Sequence, residues 1–341
     1  MDGSDEGSAR PLTIAAVAKA AGVSVPTVSR VLNGEADVSA ATRERIEAVI
    51  RAGGYRRQER DYHASLIELV FHELIGPWAI PTIRGVEQVA TDHEMSVVLS
   101  ELRGRHSPRD DWVRHVLVRR PAGVISVFCQ LNAAQRRQLG ARNIAVVVID
   151  PTDRPAASTP VVAAANRQGG AIATEHLLSL GHRNIALING PERIWCCQER
   201  EAGYRDAMAA AGVAVDPRLV RYGNLHVDEG HRIGAEILAL PDRPTAIFAG
   251  NDLQAMGVYQ AAREARLRIP EDLSVVGFDD VPVAGWMGPA LTTVRQPLTD
   301  MGVAAAGMLL ALASGDKPAP ARVELPTTLV VRGSTTHAMP T

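Results

Sequence analysis

The chain has 341 residues, 46% apolar and 22% charged, with a net charge of −2. That length exceeds one compact core and calls for two or three units. The near-neutral charge carries no global sign of nucleic-acid binding. No apolar run approaches the roughly 20 residues of a membrane span, so no membrane partner is expected.

Residues 1–10 are small, polar and acidic without periodicity, which predicts a disordered tail. The first apolar stretch, Leu12 to Val23, follows acidic residues and contains Lys19, unlike a secretory leader. From residue 11 to 57 the pattern predicts three short helices. Ile14, Val17 and Ala18 repeat at helical spacing, and Gly22 suits a left-handed C-cap. Ser24 can cap a second helix with Pro26 in its first turn, carrying Val28, Val31 and Leu32 to Asn33-Gly34. Ser39 can cap a third, with Ile46, Val49 and Ile50 on one face and Gly53-Gly54 as its end. Between Pro11 and Arg60 eight basic residues face five acidic ones, a mild local excess compatible with phosphate contacts.

A helix, a glycine turn and a capped second helix are the parts of a helix-turn-helix, whose second helix lies in the major groove. Val25, Pro26, Thr27, Ser29 and Arg30 lead that helix. Arg30 is the residue to read a guanine edge, since its fork can bridge O6 and N7. Val25 and Pro26 offer apolar contact, and Thr27 and Ser29 suit phosphates or packing.

Arg56 to Ser65 is polar and charged, and residues 58–66 are read as a linker. Beyond it, apolar runs rich in Val and Ile predict strands at 66–71, 96–100, 123–128, 145–149, 185–189, 246–249 and 274–278. Helical patterns at 83–93, 130–142, 169–180, 200–211, 228–240 and 253–265 lie between them. This alternation predicts an α/β fold: a small all-α headpiece followed, over residues 67–341, by two doubly wound parallel-sheet lobes with ligands off the strands' carboxyl ends. Cys129, Cys196 and Cys197 cannot all pair, and a bridge between neighbours would strain a ring, so a reducing cytoplasm is expected. The ten histidines show no close metal spacing, and neither metal nor cofactor is expected. No dinucleotide, P-loop or nucleophile-elbow string points to an enzyme.

The string from Val23 to Asn33, after Thr13-Ile14 and Ala20-Ala21-Gly22, resembles the DNA-binding domain of the LacI/GalR family of bacterial regulators. Gly181-His182, Arg200 with Gly203-Tyr204, Gly250-Asn251-Asp252, the run from Ser274 to Asp279 and the run from Pro289 to Pro297 are similar to that family's landmarks, in its order. The resemblance implies a sequence-specific repressor of sugar-utilisation genes released by a small carbohydrate. A nucleobase-type corepressor, or a solute-binding protein of the same two-lobed form, are the alternatives. It implies DNA contacts at Thr13, Ser24, Val25, Pro26, Thr27, Ser29, Arg30 and Asn33, and a homodimer or larger assembly on a pseudo-palindromic operator. It places the N-lobe at about 67–165 and 296–330, the C-lobe at about 166–295, and dimerisation in the same region. Effector contacts are implied at Trp78, Asp150, Cys196, Arg200, Leu225, Asn251, Asp279 and Trp286. Among them, Trp78 would stack on a ring, Arg200 would fork onto adjacent hydroxyls, and Trp286 would wall the mouth. Two positions depart from the family: Ala16 replaces its usual aspartate, and Arg56 to Ser65 lacks its Ala-Arg-x-Leu hinge, so that Arg56, Arg57 and Arg60 become candidate phosphate contacts.

Overall fold

The computed structural model describes residues 14–32, 38–53, 64–316 and 321–339, and the chain divides into two compact units, Met1–Tyr62 and His63–Thr341. Thr13, Asn33, Arg56, Arg57, Arg60, the N-terminal tail and most of the linker lie outside the described residues.

The first unit holds α1 (Ile14–Ala21), α2 (Val25–Leu32) and α3 (Ala40–Gly53). Gly22 sits at φ +65, a region that an L side chain rarely adopts. The Val23 N–H then reaches back to the Ala18 carbonyl at 3.0 Å and closes the glycine cap. Ser24 Oγ accepts from the Thr27 N–H at 3.3 Å, and Ser39 Oγ from the Thr42 N–H at 3.4 Å, so hydroxyls satisfy the first free donors of α2 and α3. Val17, Ala18, Ala21, Val28, Val31 and Ile46 form one buried cluster.

The second unit consists of two lobes. In the first, β1 (Ala64–Phe71), α4 (Ala79–Asp92), β2 (Ser96–Glu101), α5 (Asp110–Arg119), β3 (Pro121–Val127), α6 (Ala133–Gly140), β4 (Ala145–Ile149) and β5 (Val161–Ala164) follow one another. The chain then crosses to the second lobe for α7 (Asn166–Ser179), β6 (Ile185–Asn189), α8 (Trp195–Ala210), β7 (Val220–Tyr222), α9 (Val227–Leu238), β8 (Ala246–Ala249), α10 (Asp252–Glu264), β9 (Ser274–Asp279), α11 (Pro282–Trp286) and β10 (Thr292–Arg295). It returns for α12 (Leu298–Ala313) and β11 (Arg322–Leu325), and crosses a last time into β12 (Thr328–Val330). The strand orders are β11-β5-β4-β3-β1-β2 and β12-β10-β9-β8-β6-β7, parallel except where β12 pairs antiparallel with β10. Each sheet buries both faces. In the first lobe one face packs α4 and α12 through Val86, Met301 and Leu309, and the other packs Val113, Val116 and Leu139. Strands covered on both faces read as unbroken apolar runs, which is why β3, β4 and β6 are plain in the sequence.

The structure corrects the expected N-lobe return over residues 296–330. Residues 328–330 belong to the second sheet, and the tail after them stays there: the Val275 N–H donates to the Ser334 carbonyl at 2.9 Å and the Ala338 N–H to the Leu180 carbonyl at 2.8 Å. The helix expected from Gln130 starts at Ala133 because Asn132 forms a reciprocal capping box with Gln135.

The helices α7 and α8 touch backbone to backbone. A Cβ on Gly203 would run into the Arg167 carbonyl, and one on Gly170 into the Arg200 carbonyl. Gly203→Ala therefore has to push the helices apart, and urea unfolding should register a loss of about 3 kcal/mol. An unchanged midpoint would show that this seam is compliant.

His182 is buried, its Nδ1 2.8 Å from Thr245 Oγ1 and its Nε2 3.0 Å from both Ser274 Oγ and the Thr336 carbonyl. Burial lowers its pKa despite the Thr336 carbonyl. A base with a depressed folded-state pKa contributes stability that is complete above its unfolded value of about 6.5 and is lost as pH falls through the folded value. Melting curves from neutral pH to about pH 5 should thus fall less steeply for His182→Gln than for the wild type. Parallel curves would remove His182 from the acid response.

Candidate functional site

In the first unit, α2 turns Val28 and Val31 into the core, leaving Val25 41% exposed and Pro26 and Arg30 on the surface. Thr27 and Ser29 are half-buried, and Ser24 and Thr27 share a hydroxyl hydrogen bond of 2.8 Å. The helix thus presents an apolar leading edge and an arginine one turn on. The two hydroxyls nearest its start are engaged in capping.

In the second unit a cavity of about 350 Å³ lies between the lobes, a size that suits one or two small rings. Its lining comes from residues just past the carboxyl ends of the strands, so the sheet topology gathers side chains remote in sequence. Phe128, Asp150, Leu225 and Asp279, all in that lining, hold positive φ angles of 52, 44, 68 and 107 degrees. Non-glycine residues in this region cost about 1 kcal/mol or more each and concentrate where function requires them.

Arg200 forms the floor. It is 4% exposed, with Nε donating to Asn166 Oδ1 at 2.9 Å and Nη1 to the Gly250 carbonyl at 2.6 Å. Its guanidinium carbon lies 3.8 Å from the Phe278 ring centre, and Nη2 is 3.9 Å from Asp279 Oδ1. Burial pushes Asp279 up to about 7 and Asp150 up to about 6, against the opposing charge of Arg200. Gln296 donates to Asp279 Oδ1 at 2.6 Å, while the Ala164 N–H and Asn166 reach Asp150 Oδ1 at 3.3 and 3.5 Å. Among the described residues no hydrogen bond reaches Oδ2 of either carboxylate. At this floor two acceptors flank one guanidinium, an arrangement that matches hydroxyls on a ring.

The aromatic side is built from Trp78 and Phe128, with Phe71 edge-on to the indole at 6.4 Å. His72 and His106 stack at 4.1 Å with their planes 9° apart. Glu73, from the first lobe, meets His226, from the second, at 2.6 Å.

Of the effector positions read from the sequence, Trp78, Asp150, Cys196, Arg200, Leu225, Asn251 and Asp279 line this one cavity. Trp286 is not part of that lining. It ends the short α11, which turns Ala284 inward and leaves Trp286 80% exposed. Asn251 lines the wall, but both ends of its amide are occupied: Oδ1 caps α10 by accepting from the Gln254 N–H at 2.8 Å, and Nδ2 donates to the Leu225 carbonyl at 2.9 Å. Sequence reasoning missed His72, Glu73, His106, Phe128, Arg193 and His226. Phe128 and His72 could have been found, since each sits at or directly after an apolar strand run, where ligands collect. No cluster able to hold a metal ion occurs among the described residues, and none of their helices is long and apolar enough to cross a membrane.

Residues 13–58 match the bacterial regulatory proteins of the lacI family, and residues 174–335 match the periplasmic binding protein-like domain. The chain is 30% identical over 336 residues to the HTH-type transcriptional repressor CytR of Escherichia coli (strain K12), covering 96% of this chain and 97% of that one. Among solved structures, the transcriptional regulator CelR–cellobiose complex superposes with a TM-score of 0.73 at 33% identity, over 95% of this chain and all of that one (100%). The lac repressor dimer bound to operator and the anti-inducer ONPF gives 0.69 at 28% identity, over 96% and 100%.

Proposed function

Because the chain belongs to the lacI family of bacterial regulatory proteins, we propose that it represses transcription from an operator read by α2 and leaves that operator when a small carbohydrate fills the cavity between the lobes. It is a DNA-binding transcription regulator and not an enzyme. It acts in the cytoplasm as a homodimer, whose two-fold symmetry calls for two half-sites. The observation that carries the effector reading is the cavity floor: Arg200 between Asp150 and Asp279, opposite the Trp78 and Phe128 rings. Planar polar groups on one side and aromatic faces on the other answer the two sides of a pyranose or furanose ring. In this reading the effector closes the lobes and changes the spacing of the paired headpieces. Linkage requires DNA to weaken effector binding by the same factor.

Selection of a bound duplex from a random pool, followed by gel retardation at moderate salt with a carbohydrate panel, tests both parts. A selected sequence that is retarded, and released by one sugar, is the expected result. Retardation of every duplex alike would overturn operator recognition. Retardation that no small molecule changes would overturn effector control.

A further inference from the structure

Beside the cavity lies a second, more open pocket that shares Gly104, His106 and Arg193 with it. Its lining adds Arg105 and Arg136, and its one acidic residue is Asp153. With its amide turned to satisfy both neighbours, Gln130 donates to Asp153 Oδ2 at 3.1 Å and accepts from Arg136 Nη2 at 3.2 Å. Arg136, half-buried, also donates to the Thr159 hydroxyl at 3.4 Å. Among the described residues none of these three arginines forms an ion pair. Elsewhere in the same unit Arg119, Arg167, Arg218, Arg232, Arg268 and Arg295 each pair with a carboxylate. In a chain with slightly more acidic than basic residues, three unpaired guanidiniums around one pocket are a local surplus of positive charge. Ser107, Asn132 and Thr152 add neutral polar groups to the wall, and Leu131 and Ala133 complete it.

We infer that this annex is an anion subsite: the effector carries a phosphate or carboxylate that Arg105, Arg136 and Arg193 hold while its ring occupies the neighbouring cavity. Guanidiniums match both groups because their forked donors meet paired oxygens. His106, lining both pockets, would mark the junction between ring and anion. The inference rests on the effector reading of the cavity and narrows it to charged sugars.

Orthophosphate and acetate are the minimal probes of the two sources, titrated into the full chain at constant ionic strength and followed by line broadening of their own 31P and 13C signals. Wild-type protein should broaden at least one of them. The double variant Arg105→Gln, Arg136→Gln, both outside the ring cavity, should weaken that binding by roughly tenfold or more, as loss of charge-assisted hydrogen bonds does. Arg263→Gln, on the surface of α10, should leave it unchanged. Broadening by phosphate alone assigns a phosphorylated ligand, and broadening by acetate as well admits a carboxylate. No broadening by either anion, or equal broadening by the double variant, overturns the subsite. Gel retardation by the same samples separates the two readings. A double variant that still retards the selected operator and releases it with a neutral sugar leaves the regulator standing without the annex.

Discussion

Arg200→Ala should abolish release from the operator by effector while leaving operator binding in place. The side chain supplies the one guanidinium of the cavity floor and holds Asn166, the Gly250 carbonyl and Asp279 around it. Truncation leaves two buried acceptors without donors and two carboxylates without a cation, for which about 3 kcal/mol of lost stability is expected. Part of that cost is relieved because Asp279 and Asp150, already pushed up to about 7 and about 6, can take protons. Urea unfolding and gel retardation separate the contributions. Arg200→Lys is the sharper variant, since it keeps the charge but not the planar fork. It should fold closer to wild type yet still lose the response. Release by the same ligand at the same concentration in either variant would exclude Arg200 from effector recognition.

Arg30→Ala should weaken the selected operator by a hundredfold or more. One bidentate contact to a guanine is worth about 1–3 kcal/mol, and a dimer makes it in both half-sites. Arg30 is exposed on α2 and outside the buried cluster of the first unit, so circular dichroism and melting should change little. Non-specific duplex binding should persist, because phosphate contacts supply it and only one cation per protomer is removed. Unchanged operator affinity, measured by fluorescence anisotropy at fixed salt, would show that another side chain reads the site.

The elements of this fold that declare themselves in sequence are those whose signal is local. Gly22 with Ser24 marks the α1–α2 turn through backbone conformation and capping, which neighbours in the chain control. The runs at 145–149, 185–188 and 246–249 stand out as strands because a strand covered on both faces is apolar at every position. Where several contacts compete, local pattern is silent. The helix α12 is apolar nearly all round and carries no amphipathic stripe, because α4 covers one side and the sheet another. The short strands β7, β11 and β12 take their pairing from neighbours distant in sequence.

The candidate site divides along the same line. Residue type and family resemblance lead to seven of eight effector positions around the cavity, most of which lie at the end of a strand or the start of a helix. Trp286 stays outside that lining, because the five residues of α11 turn Ala284 inward and Trp286 to the surface. The pairing of Glu73 with His226 and the gathering of Arg105, Arg136 and Arg193 join residues from segments far apart in the chain. By itself the amino-acid order determined a capped helix pair followed by two alternating α/β lobes. Only the packed molecule decided which charges share a wall, because electrostatic neighbours are set by distance in space and not along the chain.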